Sequence, residues 1–201
     1  MAISEIDSTL VTVGQPCEGG ACWASFDSSP TYPTDAVTKM STLAGYESAG
    51  ELSENGFTEG KSISSSNHKG WHGKTLLSTV DETTNTYQAE FVEVSRGTSA
   101  KLRYGAANVT VDANGAVTKI EDNSVNNDTV SLVFDELESN GYLRRTVVKR
   151  CKVTSLDDVP HRKGALMVYG MTFTVLEPAD ASAAIVIYRA APASPAPASS
   201  K

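Results

Sequence analysis

Between residues 21 and 189, hydrophobic positions alternate with polar ones over several stretches, and β-branched residues are frequent. Such a period of two is typical of strands that bury one face. Turn-forming residues divide these stretches into three predicted hairpins: 75–80 with 86–94, 108–112 with 116–121, and 129–137 with 142–153. Two more strands are predicted over 165–176 and 184–188. The pattern therefore predicts a mainly β protein, built as an antiparallel β-sandwich or partly open barrel.

Two short helices are predicted beside the strands. The first covers residues 95–104 and ends at Gly105, since glycine commonly terminates a helix. The second begins near Thr34 or Asp35, whose side chain would accept hydrogen bonds from the first amides.

The third hairpin predicts a specific register. If Asn140 and Gly141 are the two central residues of a type I′ turn, Glu136 lies opposite Arg145. These two side chains would then form a cross-strand ion pair, which contributes a few tenths of a kcal/mol where it is exposed.

The two ends of the chain differ from its centre. Residues 1–20 are predicted to form an extended arm, and residues 190–201 a Pro/Ala/Ser-rich tail that cannot pack a core. The folded domain is expected over 21–189. Residues 47–66 contain many Ser, Gly and Asn residues and are predicted to be a loop that orders only against a neighbouring subunit.

Composition narrows the classes of function. The chain has 201 residues, 40% of them hydrophobic, and a net charge of −7. That charge argues against a nucleic-acid binder, which needs concentrated Lys and Arg. No apolar run is long enough to cross a membrane as a helix, and the acidic N-terminus does not resemble a secretory signal. Synthesis in a cytoplasm is therefore expected.

The motifs for catalysis and cofactors are weak. Gly73, Lys74 and Thr75 resemble the end of a phosphate loop, but His68 occupies the position of its first glycine. Zinc-type ligands occur as Cys17 and Cys22 with His68 and His72, and whether they bind a metal stays open because the two pairs are far apart in the sequence. Cys151 is expected in the core. We expect no enzymatic activity and no cofactor.

The order of features from residue 19 to 73 carries a resemblance. A small-residue strand around Cys22 precedes Pro33-Thr34-Asp35-Ala36, then Leu43-Ala44-Gly45-Tyr46, a Gly56-Phe57-Thr58 loop and Gly70-Trp71-His72-Gly73. This order resembles the major tail protein, or tail tube protein, of long-tailed non-contractile bacteriophages. The resemblance extends roughly from residue 14 to 189. Ala44 and His72 each lengthen a family motif by one residue.

The resemblance implies a fold and a role. It implies a β-sandwich with a helix packed on its side, and a subunit of stacked hexameric rings that enclose a channel for DNA. The implied partners are further copies of the chain, the tape measure protein, the tail terminator and distal tail proteins, and DNA passing without specific binding. The implied location is the tail of the virion. A capsid-decorating or head–tail joining protein and a monomeric binding module are the alternatives.

The residues that line this channel are predicted from the hairpin within 74–94, where the family's barrel hairpin begins. Tyr87, Ala89 and Phe91 alternate with polar residues and are expected to pack on the body of the subunit. On the opposite face, the channel-lining candidates are Gln88 and Glu90, with Asp81 and Glu82 near the turn.

Overall fold

A computed structural model describes residues 10–17, 21–122, 126–178, 180 and 182–191. The protein is mainly β, as predicted, with antiparallel strand pairing throughout these residues. The strands are β1 Gly14–Pro16, β2 Cys22–Ser25, β3 Glu47–Gly50, β4 Leu52–Lys69, β5 Thr75–Phe91, β6 Val109–Val111, β7 Val117–Ile120, β8 Val130–Glu138, β9 Leu143–Leu156, β10 Tyr169–Val175 and β11 Ile185–Ala190. The helix α1 is Gly97–Tyr104, and short 3-10 turns lie at Met40–Thr42 and Ala106–Asn108.

The long strand β9 belongs to both halves of the main sheet. Its first half pairs with β8 and β11, and β8 continues the sheet through β2 to β3. Its second half pairs with β10, which is followed by β5 and β4. The two halves face each other across an aromatic core in which the Phe57 and Phe134 rings stack at 4.3 Å. The sheet does not close into a barrel, so the architecture is a β-sandwich.

The buried face of β5 is the one that the alternation predicts. Tyr87, Ala89 and Phe91 are all buried, whereas Gln88 is exposed and Glu90 half-buried on the opposite face. Cys151 is also buried in the core, as predicted. One-sided burial is the condition under which an alternating pattern identifies a strand.

The predicted pairing of Glu136 with Arg145 is wrong by one residue. Glu136 lies opposite Arg144, and Arg145 lies opposite Asp135. The loop has three residues, 139–141, rather than two: the Glu138 amide donates to the Tyr142 carbonyl at 2.8 Å. Its last residue, Gly141, has a φ of 84°, the left-handed geometry that ends a three-residue hairpin loop. The extra loop residue shifts the whole register.

The predicted turn at residues 81–85 is also wrong, as is the predicted loop at 47–66. Strands β4 and β5 pair from Leu52 with Phe91 to Lys69 with Thr75, with three register shifts along the way. The turn is residues 70–74, where the Gly73 amide donates to the Gly70 carbonyl at 2.9 Å. Most of this hairpin is exposed on both faces. Its sequence therefore lacks the alternation that burial imposes.

The helix predictions have different outcomes. Helix α1 is confirmed and ends at Gly105 as predicted. It packs on the side of the sandwich, where Lys101 forms a 2.9 Å ion pair with Glu47 of β3. No α-helix begins at Asp35, although its carboxylate accepts hydrogen bonds from the amides of Val37 and Thr38. These β-branched residues form a capped bend instead, because they have low helix propensity.

The remaining hairpin is confirmed as β6 with β7, where Val109 lies opposite Ile120. In the N-terminal segment, β1 pairs with the end of β8, with Gly14 opposite Glu138. The positions 1–9 and 18–20 of the predicted arm, and 192–201 of the predicted tail, lie outside the described residues. The domain boundaries at 20/21 and 189/190 stay predictions.

Candidate assembly surfaces

A two-stranded arm, residues 61–85, projects from the sandwich. Strand β10 supports β5 only as far as the pair Thr174 with Thr86. Beyond that pair, each strand of the arm has only the other as a partner among the described residues. The ten residue steps from 75 to 85 correspond to about 33 Å of extended strand. A two-stranded hairpin of this kind is only marginally stable by itself in water, which indicates that it functions against a partner surface.

The tip of the arm combines apolar and basic side chains. Trp71 is 100% exposed and Leu76 is 75% exposed. Residues 60–80 contain no Asp or Glu, whereas the basic and imidazole side chains there are Lys61, His68, Lys69, His72 and Lys74. Exposed apolar groups of this size commonly mark protein contacts.

A β-bulge determines the orientation of the predicted channel-lining residues. Ser64 pairs with Glu82 and Ser65 with Val80, so Asp81 is an extra residue in β5. Its carboxylate accepts a hydrogen bond from Ser66, a residue on the same face of β4 as Ser64. By simple alternation, Asp81 would share a face with Tyr87. The bulge places it instead on the face that carries Glu82, Gln88 and Glu90. Asp81 and Glu82 lie within the arm rather than at its turn.

An acidic cleft lies between β1 and the start of β4. It is lined by residues 14–16, Ala21, residues 51–57 and two carboxylates of β8. The four acidic groups are Glu51, Glu54, Asp135 and Glu136, and none of the lining residues is basic. Asp135 and Glu136 have cross-strand arginine partners, whereas Glu51 and Glu54 have no ion pair within the described residues. Burial raises the pKa of Glu136 above its usual value of 4.5.

Two long strand edges are open in the isolated chain. Strand β4 pairs with β5 on one side and with no described strand on the other. The second half of β9 pairs with β10, but its opposite edge loses β8 after the pair of Val130 with Cys151. Open edges present unpaired backbone donors and acceptors, which can pair with another chain.

Two neighbouring arginines of β9, Arg144 and Arg145, have carboxylate partners on β8. Arg145 donates to Asp135 at 2.6 and 2.9 Å and to the carbonyls of Asp35 and Thr38. Arg144 is 3.7 Å from Glu136. Arg145 thus forms a cross-strand ion pair, but with Asp135 instead of the predicted Glu136, which pairs with Arg144.

A further ion pair holds β11 against the hairpin of β8 and β9. Arg189 of β11 donates to both carboxylate oxygens of Glu138, and its guanidinium lies 4.2 Å from the centre of the Tyr142 ring. These hydrogen bonds lower the pKa of Glu138. The pair connects β11 to the hairpin of β8 and β9.

The cysteine and histidine residues are not brought together. Cys22 is buried in the core, where burial raises its pKa well above the usual value, and His68 lies on the arm, opposite Leu77. From Tyr87 in the core to Leu77, β5 extends by about 33 Å. Within the described ranges, no group of three or more His, Cys, Asp or Glu side chains is arranged to hold a metal ion.

Comparisons with known proteins identify the family. A search of curated proteins gives no match. No helix in the described part of the chain is both long and apolar enough to span a membrane. A family model described as phage tail tube protein matches residues 24–198, which is most of the chain. With its β-sandwich, its projecting arm and its open edges, this chain belongs to the phage tail tube protein family, a family of structural proteins of the virion tail.

Proposed function

We propose that the protein assembles into hexameric rings that stack into the tube through which phage DNA is delivered. Membership of the tail tube family supports the structural role. The observation that best supports assembly into rings is the open outer edge of β4, a strand of 18 residues. Long unpaired edges are a liability in a monomer and are protected when a ring closes.

Ring closure pairs two specific edges. The outer edge of β4 in one subunit lies against the free edge of the second half of β9 in the next, at residues 152–156. This contact joins two different surfaces, so it is heterologous and closes only at a fixed number of copies. Repetition around the ring joins the β9–β10–β5–β4 sheets into one continuous wall.

The outer face of β5 lines the channel. Gln88 and Glu90 alternate with core residues and therefore point away from the sandwich. Glu82 lies on the same face by alternation, and the bulge adds Asp81 to it. A repeated ring of carboxylates repels phosphate, whereas a basic wall would bind DNA through counterion release. The net charge of −7 is consistent with a passage that does not hold its cargo.

The other partners follow from the position of a tube in a virion. They are the tape measure protein in the lumen during assembly, the tail terminator protein at one end and distal tail proteins at the other. The subunit is made in the host cytoplasm and has no catalytic role in this scheme.

Electron microscopy tests the proposal. The purified chain is concentrated and imaged by negative stain, and stacked rings with sixfold symmetry are the expected result. A protein that stays monomeric at high concentration, and also in the presence of tape measure protein, would contradict the ring proposal.

A further inference from the structure

We propose that the tip of the arm, residues 68–77, docks into the acidic cleft of another copy of the same chain. This inference rests on the proposed tube function and names the two surfaces that join one ring to the next.

The two surfaces are complementary in chemistry. The tip presents Trp71, fully exposed, between Lys69 and Lys74. The cleft offers the carboxylates of Glu51 and Glu54, which have no ion pair within the described residues. Aromatic side chains that enter pockets are the usual energetic centres of protein interfaces, and surrounding charges select the partner.

The cleft also has an apolar floor for an aromatic ring. Leu52 and Ala21 are buried there, and Phe57 stacks on Phe134 beneath the opening. Polar residues with acidic groups surround this floor. An indole over the floor and lysines at the rim would satisfy both parts of the surface.

The geometry excludes docking within one chain. The cleft lies at the start of β4 and the tip follows its end, and the 12 residue steps from Phe57 to Lys69 correspond to about 40 Å of strand. The paired strands hold these two sites apart. The tip can therefore reach only the cleft of another copy, and a head-to-tail contact that does not close into a ring propagates as an open chain. That is the symmetry needed to stack rings.

Charge reversal tests the contact. The tip variant carries Lys69→Glu with Lys74→Glu, the cleft variant carries Glu51→Lys with Glu54→Lys, and a fourfold variant carries all four. Each reversed surface should raise the threshold concentration for tube formation at least about tenfold, and Trp71→Ala should do the same. The fourfold variant should restore assembly, since its attraction is re-formed with opposite signs. Arg162→Glu with Lys163→Glu on an exposed loop is the control that changes net charge as the tip variant does.

The outcomes separate this inference from the tube proposal. Thermal melting of the monomers checks that each variant is folded. Normal tubes from the folded tip and cleft variants, or a fourfold variant that assembles no better than either, would overturn the docking while leaving the tube proposal standing. Failure of the wild-type chain to form rings or tubes would overturn both.

Discussion

Arg145 and Asp135 lie opposite each other on β9 and β8 and form a largely buried ion pair with contacts of 2.6 and 2.9 Å. The same guanidinium donates to the carbonyls of Asp35 and Thr38, at 3.0 and 2.8 Å. One side chain thereby holds the segment before β3 against the hairpin of β8 and β9. Its removal therefore takes a charged donor from one carboxylate and two carbonyls at once.

Replacing Arg145 with alanine should lower the free energy of unfolding by about 3 to 5 kcal/mol, because Asp135 becomes an unpaired buried charge. Urea unfolding of the monomer measures this. Lys119→Ala is the control, since Lys119 forms an exposed pair with Glu121, and it should cost less than about 1 kcal/mol. Equal, small losses in both variants would show that the buried pair contributes no more than the exposed one.

The pair of Glu138 with Arg189 should make stability depend on pH. Hydrogen bonds from Arg189 lower the pKa of Glu138 below its usual value of 4.5. A depressed pKa in the folded state means that the stabilisation is complete above pH 4.5 and is lost as pH falls through the folded value. Glu138→Gln should therefore be less stable at neutral pH and lose less stability on acidification, as measured by urea midpoints between pH 7 and pH 3.

Glu136 provides a comparison of opposite sign. Burial raises its pKa, so the folded protein gains stability when this group is protonated as pH falls toward 4.5. Glu136→Gln should lack that gain. Identical pH profiles for the Glu136 and Glu138 variants would contradict the assignment of either shift.

The arm should be dispensable for folding and required for assembly. Ser62 and Thr84 lie opposite each other, so residues 63–83 can be replaced by an Asn-Gly turn that suits a two-residue hairpin loop. Because the removed side chains are mostly exposed, the free energy of unfolding should change by less than about 1 kcal/mol. Calorimetry and electron microscopy should show a folded monomer that forms no tubes. Tubes of normal length from this variant would show that the arm does not connect rings.

A strand can be predicted from the sequence where it buries one of its two faces. Tyr87, Ala89 and Phe91 pack on one side only, so their alternation identifies both the strand and its inner face. From Ser62 to Ser66 neither face is buried, and no period in hydrophobicity remains to identify the strand. The sequence does contain one indication of the arm: residues 60 to 80 include no acidic residue. This charge pattern suggests the tip of the arm as a contact surface.

Register and tertiary surfaces are harder to predict. The turn after β8 contains Asn140-Gly141 whether the loop has two residues or three, and only the hydrogen bond from Glu138 to Tyr142 decides between them. With a two-residue loop, Glu136 would lie opposite Arg145. With the three-residue loop of the structure, it lies opposite Arg144. The acidic cleft joins segments near residues 15, 54 and 136, which only the folded chain brings together.

Glu90→Lys tests the proposed channel wall. Glu90 is half-buried, its carboxylate is 3.5 Å from the side-chain nitrogen of Asn55, and it lies on the face of β5 opposite the core. Because Glu90 has no ion pair within the described residues and lies outside the core, reversal of its charge should change the free energy of unfolding by about 0.5 kcal/mol or less. Tubes should still form, but six added lysines per ring would attract phosphate and retard DNA. Phage carrying the substitution should have tails of normal appearance and deliver their genome poorly.

Glu121→Lys, at the end of the exposed β6–β7 hairpin, makes the same charge change away from the proposed channel, and phage that carry it should deliver DNA normally. A tube structure with Glu90 on its outer surface, or normal delivery by the Glu90→Lys phage, would contradict the lining while leaving the family assignment intact.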